Sequence, residues 1–237
     1  TGHLRIAEYF FGLTVPLLFD VMLHVGTLFV IIIFFRKAIK NVLLALWHRD
    51  FKSQDGKLIL PIILGSIPTA VIGALAGSQL DTYFNTVPLL SAGFIASGIV
   101  LLASKFSTQQ KDNIDVLAAL LIGLMQGISI IPAVSRSGLT IAVMLLLGIK
   151  RELAFKFSFL LSIPAVIGAL GLTLYDERNA LSLAGIGTIE IVSALAITVV
   201  ISFLALKILQ KSLTANKFYL FSIYCFIIGA VLLSLSF

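Results

Sequence analysis

Two short stretches of this sequence carry residue types suited to handling phosphate. In IIPAVSRSGLTI, residues 130 to 141, an arginine stands between two serines inside a long apolar region. The guanidinium of Arg136 presents a planar fork of donors that matches phosphate oxygens. Ser135 and Ser137 add hydroxyl donors, and Ser137 or Gly138 can cap a helix that follows. Such a helix aims unpaired N–H groups and the positive end of its dipole at the same place. The nearest acidic residues in sequence, Asp115 and Glu152, stand at the far ends of the flanking segments, so a bound anion is a simpler partner for Arg136 than a carboxylate. The second stretch is TGHLRIAEYFFGLTVP at 1 to 16, where His3 follows Thr1 and Gly2.

The elements that must position these groups are membrane helices. Hydrophobic residues make up 59% of the chain and charged residues 12%, and the mean hydropathy is +1.10, far above what a water-exposed surface tolerates. Apolar runs fall at 17 to 35, 58 to 77, 87 to 104, 114 to 134, 139 to 149, 155 to 174, 186 to 206 and 218 to 237. No stretch remains for a nucleic-acid-binding domain, so the net charge of +6 is read by position. The connections 36 to 57, 105 to 113, 150 to 156 and 207 to 217 hold 14 of the 17 Lys and Arg residues, which places all four on the cytoplasmic side.

That placement has a consequence for the arginine. With 105 to 113 and 150 to 156 on one side, the region between them enters and returns to the same face. The run 139 to 149 makes only roughly 16 Å of helix, about half a bilayer, so 114 to 149 is expected to be a re-entrant helix-loop-helix turning at SRSG. Irregular backbone at that depth is tolerated where protein or a wet cavity surrounds it, and an arginine there is disfavoured by at least ~2.5 kcal/mol unless it faces such a cavity. Tracing backwards puts Thr1 to Pro16 on the opposite side, as the second arm of another re-entrant pair whose first arm precedes residue 1. The expectation is an all-α polytopic bundle with about six full spans plus re-entrant elements, its halves 1 to 113 and 114 to 237 forming an inverted-topology repeat.

Other residues carry weaker signals. His24 lies at i, i+4 from Asp20 within a spanning run, where packing or hydrogen bonding is the expectation; Glu8 falls on a different helical face from His3 and reads as structural or solvated. Gln126 and Gly127, two turns before SRSG, either line the cavity or let helices pack closely. Three scattered histidines and a single cysteine, Cys225, do not form a zinc motif. Lipid phosphatases of the phosphatidic-acid type 2 superfamily need a histidine six residues after the arginine, where this chain has Ala142. Small residues from Gly65 to Gly77 are compatible with a homodimer.

The segment GLMQGISIIPAVSRSGLTIAVMLLLGIKRELAFKFSFLLSIPAVIGA closely resembles the second signature region of the bacterial undecaprenyl-diphosphate phosphatase family, also called the bacitracin-resistance protein family. TGHL resembles the end of its first signature, and FDVMLHVGTLFVIIIFFRK and PIILGSIPTAVIGAL are similar to its intervening spans. The resemblance implies a multi-pass enzyme of the bacterial inner membrane. It would hydrolyse undecaprenyl diphosphate to the monophosphate carrier lipid used in peptidoglycan synthesis, and so confer bacitracin resistance. By the same resemblance His3 is the catalytic histidine, Arg136 the diphosphate-binding arginine, Ser135 and Ser137 the phosphate-contacting serines and Thr1 the signature threonine; His3, Arg136 and Ser135 are expected to be catalytic, and Thr1, Ser137, Gly138 and Gln126 to contact substrate. A divalent cation, Mg2+ or Ca2+, is implied on glutamates that the family carries upstream of its TGH. Two departures stand out: Tyr224-Cys225 where the family has Tyr-Arg, and Ala133-Val134 where it has a Gly-containing pair. The competing class is a polyprenyl-phosphate flippase or anion transporter that uses the same loops.

Overall fold

The computed structural model describes residues 2–12, 17–76, 86–177 and 187–236. Thr1, and most of the external connections expected over 78 to 86 and 175 to 185, lie outside the described residues. The described residues form helices α1 (Gly2–Phe11), α2 (Leu17–Phe34), α3 (Arg36–Trp47), α4 (Ile59–Ala76), α5 (Val87–Ala103), α6 (Val116–Ile128), α7 (Arg136–Leu146), α8 (Arg151–Glu177), α9 (Thr188–Thr214) and α10 (Phe221–Ser234). The protein is an all-α polytopic membrane protein. Four described stretches, Gly56–Leu75, Val87–Phe106, Arg151–Tyr175 and Thr188–Thr214, are long and apolar enough to cross a bilayer. A fifth is added if α2 and α3, bent by 79° at Phe35, count together, and Phe218–Ser234 is a shorter apolar helix.

The hairpin predicted from charge is closed by backbone hydrogen bonds at its base. The N–H of Lys111 donates to the Gly148 carbonyl at 2.7 Å, and the N–H of Lys150 donates to the Lys111 carbonyl at 3.0 Å. The chain therefore leaves and returns at one point, with α6 going in and α7 coming out. Gly148 turns the chain there at φ +84°, a conformation an L side chain rarely adopts. The turn itself differs from the expectation. It spans 129 to 135, because Ser135 rather than Ser137 or Gly138 caps α7, its Oγ accepting from the Gly138 N–H at 3.2 Å. Arg136 is thus already helical, and α7 runs one turn earlier than the apolar run 139 to 149 implied.

Small residues let the interior helices approach closely. A Cβ on Gly123 of α6 would stand 2.0 Å from the Gly65 carbonyl oxygen of α4, and the Thr69 hydroxyl lies between the carbonyls of Gly65 and Gly123, at 3.0 and 2.9 Å. The Gly65 face is therefore used inside this chain to seat α6. On the other side α10 packs on α5, where Ser91 Oγ donates to the Gly229 carbonyl at 2.7 Å and Cys225 is buried in the core. Phe34, Phe35, Phe155 and Phe159 stack where α2 meets α8.

On the basic side, Lys156 Nζ donates to Asp55 Oδ1 at 2.9 Å and Asn41 Nδ2 donates to Asp55 Oδ2 at 2.9 Å, joining α8 to α3. Burial raises the Asp55 carboxyl, but these two hydrogen bonds and the Lys156 charge outweigh it and hold the group below the usual carboxylate range.

Candidate phosphate site

The site begins where the start of α1 touches the turn that precedes α7. Gly2, at the start of α1, lies so close to the SRSG turn that a Cβ there would stand 2.8 Å from the Ala133 Cα. Gly93 of α5 closes the third side, its hypothetical Cβ 2.7 Å from the Pro132 carbonyl oxygen and 3.1 Å from the Ala133 Cβ. Ala133 itself is 5% exposed and adopts φ +68°, a left-handed conformation that disfavours a residue with a Cβ. Glycines on both neighbours are what leave room for its methyl group.

Ser97, one turn beyond Gly93, holds the turn by hydrogen bonds. Its Oγ donates to the Gly93 carbonyl at 2.9 Å and accepts from the Ser135 N–H at 3.1 Å. With Ser135 fixed at the N-cap, α7 presents Arg136 and Ser137 in its first turn, where backbone N–H groups have no intrahelical acceptor. Gly138 is buried beneath them. The Arg136 guanidinium makes no hydrogen bond or ion pair with a described residue, and neither does the Ser137 hydroxyl. A partly buried guanidinium with no partner among the described residues, beside hydroxyl and N–H donors, is a combination suited to receiving an anion.

Gly93→Ala is the least disruptive change that should dislodge this turn. The added methyl meets backbone at Pro132, which cannot rotate away, so the expected cost is about 1–3 kcal/mol, read by thermal unfolding in detergent. Adding Ala133→Gly should restore only part of it, because the Pro132 clash remains. A Gly93→Ala protein as stable as the parent would contradict this packing.

His3 is exposed in the first turn of α1. Its Nε2 pairs with the Tyr224 hydroxyl of α10, and its ring stands edge-on to Phe94 with centroids 5.5 Å apart. The position that departs from the family pattern therefore adjoins the residue that orients His3. His24 on α2 lies within electrostatic reach of Arg136. Its Nδ1 is 2.8 Å from the Asp20 carbonyl; a carbonyl only accepts, so Nδ1 carries the hydrogen and Nε2 is left as the acceptor in the neutral ring.

Behind His3, α1 is fastened to α2 by buried charges. Arg5 reaches Glu8 Oε2 at 2.9 Å and Asp20 Oδ2 at 3.0 Å, and all three side chains are less than a tenth exposed. Glu8 is therefore neither solvated nor a surface group. Arg5 and Glu8 at i, i+3 are visible in the sequence as a helical pair, but Asp20 is contributed by the next helix. Ser97 gave no signal at all, being one serine in an apolar run.

Gln126 is placed between helices. It is 2% exposed, and its Nε2 lies 3.3 Å from both Thr69 Oγ1 and the Leu161 carbonyl, tying α6 to α4 and α8. Gly127 admits Ile72 of α4, whose Cδ1 a Cβ would meet at 2.5 Å. Of the two roles open to this pair, close packing is the one these contacts fill. Among the described residues no three His, Cys, Asp or Glu side chains group to hold a metal ion, and the two buried carboxylates nearest His3 face Arg5. The described donors gathered at the turn before α7 are of the kind that suits an anion.

Known proteins are similar to this chain along nearly all of its length. The undecaprenyl-diphosphatase of Desulforapulum autotrophicum is 36% identical over 248 aligned residues, covering 98% of this chain and 89% of the relative. That of Carboxydothermus hydrogenoformans is 37% identical, covering 99% and 89%, and that of Korarchaeum cryptofilum 32%, covering 99% and 91%. Residues 1–231 match the family described as bacitracin resistance protein BacA, and with the SRSG turn, the TGH helix start and relatives of this similarity along its whole length, the chain belongs to that family.

Proposed function

We propose that this protein hydrolyses undecaprenyl diphosphate with water to undecaprenyl phosphate and inorganic phosphate, in the plasma membrane of its host, and thereby supports cell-wall synthesis and bacitracin resistance. The single observation that carries the reading is the Arg136 guanidinium at the N-terminus of α7, which makes no hydrogen bond or ion pair with a described residue and follows by three residues the Ala133 that packs against Gly2 of α1. The substrate's polyprenyl tail remains in the bilayer, and its diphosphate enters where the two helix starts meet.

Each residue has a role in that chemistry. Arg136 grips two oxygens of the terminal phosphate, and Ser137 and the first N–H groups of α7 take the others. These donors gain most as charge builds on the equatorial and leaving oxygens. Ser135 holds the helix start by capping it, and its hydroxyl hydrogen is free to donate to the same phosphate. His3, oriented by Tyr224 and Phe94, moves a proton at the attacking or leaving oxygen. By family resemblance Thr1, two residues before His3 in the sequence, contacts the same phosphate. That resemblance also implies a divalent cation held by the family's glutamates. A bound cation would neutralise phosphate charge, and the roles above are those of the described side chains without it.

The inverted repeat is supported by which helices touch. If α1, α2, α4 and α5 correspond to α7, α8, α9 and α10, a two-fold exchange turns the α2–α9 contact into α8–α4 and leaves α2–α8 and α5–α10 unchanged. All four pairs are in contact. Halves 1 to 113 and 114 to 237 would then enter from opposite faces and meet at Gly2 and Ala133.

The decisive experiment uses the natural full-length protein in vesicles containing undecaprenyl diphosphate. Release of phosphate that falls with His3→Ala is the expected result. Transfer of the lipid between leaflets without phosphate release would instead establish the transporter reading.

A further inference from the structure

We propose that the elbow between α2 and α3 is a binding site for an anionic glycerophospholipid of the cytoplasmic leaflet, separate from the phosphate site and independent of the reaction. The chain turns by 79° at Phe35, so α3 leaves the line of α2 at the basic end of the bundle. Its inward side is Ala38, Val42 and Ala45, at helical spacing, the last of them 7% exposed. The outer side forms a groove of about 440 Å3 that continues from α2, with Ile32, Leu43 and Leu44 as apolar wall and Arg36, Lys40 and Trp47 along its rim.

Three observations identify the occupant. Arg36 and Lys40 stand one turn apart on the same helix face, where like charges repel, and neither pairs with a described carboxylate. The two acidic groups of the adjoining loop are engaged elsewhere: Asp55 by Lys156 and Asn41, and Asp50 by the N–H groups of Lys52 and Ser53. An anion between the two cations relieves their repulsion. The groove wall below them is apolar, which excludes a free inorganic anion as the best fit and favours one that carries hydrocarbon. Trp47, 84% exposed at the end of the groove, has the amphipathic ring that residues at the headgroup level carry. An amphipathic helix with a basic rim at the cytoplasmic end of a span is the pattern that draws acidic lipid.

Trp47 is the only tryptophan in the sequence, which makes the site directly readable. The protein is placed in nanodiscs of phosphatidylcholine with increasing fractions of dibrominated phosphatidylglycerol or, in parallel, dibrominated phosphatidylcholine, and Trp47 fluorescence is recorded. With each basic group contributing roughly fivefold, quenching by the anionic lipid is expected at mole fractions at least ~10-fold lower than by the zwitterionic one. The pair Arg36→Gln/Lys40→Gln should bring the two curves within about twofold. The pair Lys37→Gln/Lys52→Gln, which removes the same charge away from the groove, should leave the preference in place. Equal quenching by both lipids in the parent would overturn the proposal. So would an equal loss of preference in both variant pairs, which would mean diffuse attraction. Protection of Trp47 from both lipids would overturn it as well, and would mean that a second copy of the chain covers the groove.

Discussion

Arg136→Ala should lower phosphate release from undecaprenyl diphosphate by ~10²–10³-fold, the range found when a donor aimed at developing charge is removed. The substitution is expected to leave the fold intact, since the guanidinium makes no hydrogen bond or ion pair with a described residue and Ser135 continues to cap the helix. Stability should therefore change little, and the loss should appear in kcat/KM with unchanged thermal unfolding. Arg136→Lys separates charge from geometry. A lysine keeps the positive charge but replaces the planar fork with a single compact ammonium, so it should recover no more than a small part of the activity. Steady-state phosphate release from detergent-solubilised and vesicle-reconstituted full-length protein measures both. An Arg136→Ala enzyme within tenfold of the parent would remove Arg136 from the phosphate clamp.

The second large effect concerns stability. Arg5→Leu should destabilise the protein by about 3–5 kcal/mol, because it leaves two carboxylates buried after taking away the guanidinium between them. Glu8 and Asp20 are 6% and 4% exposed, so water does little to replace the lost partner. The triple change Arg5→Leu/Glu8→Leu/Asp20→Leu should return most of that stability, since removing a whole buried ion cluster is often close to neutral. Equilibrium unfolding in mixed detergent, with helicity as the signal, compares the variants. The same series separates holding from chemistry: activity lost in the single variant and regained in the triple would mark the cluster as fastening for the His3 helix. A single variant costing less than about 1 kcal/mol would show that α1 is held by other contacts.

The buried ion cluster also shows where reading the chain stops. Arg5 and Glu8 stand three apart and could be paired on paper, yet Glu8 read as structural or solvated. Its partner Arg5 is also held by Asp20, which α2 brings to the same guanidinium. The same holds for Ser97 and Gly93, ordinary members of an apolar run until the SRSG turn is laid against them. The start of α7, at Arg136 rather than 139, has a reason that is not local. Three residues of SRSG can each cap a helix, and the Ser97 hydrogen bond to the Ser135 N–H selects the first. Gln126 read equally well as a cavity group or a packing group, and its neighbours Thr69 and Leu161 come from two other helices.

Composition alone makes this chain a membrane protein, because so few charges cannot solvate so much apolar surface. The order of those charges is enough to lay out the hairpin, since the energetic penalty for carrying Lys and Arg across a bilayer acts on each loop separately. The residue types in SRSG are likewise enough to propose an anion as the ligand. What required the packed structure was every relation between segments distant in sequence: Gly2 against Ala133, Tyr224 beside His3, Asp20 on Arg5, and a guanidinium at Arg136 with no partner among the described residues. Local preferences act over a few residues, whereas these contacts arise only when whole helices settle against one another. That is why IIPAVSRSGLTI announced an anion site, and only the tertiary fold decided which groups surround it.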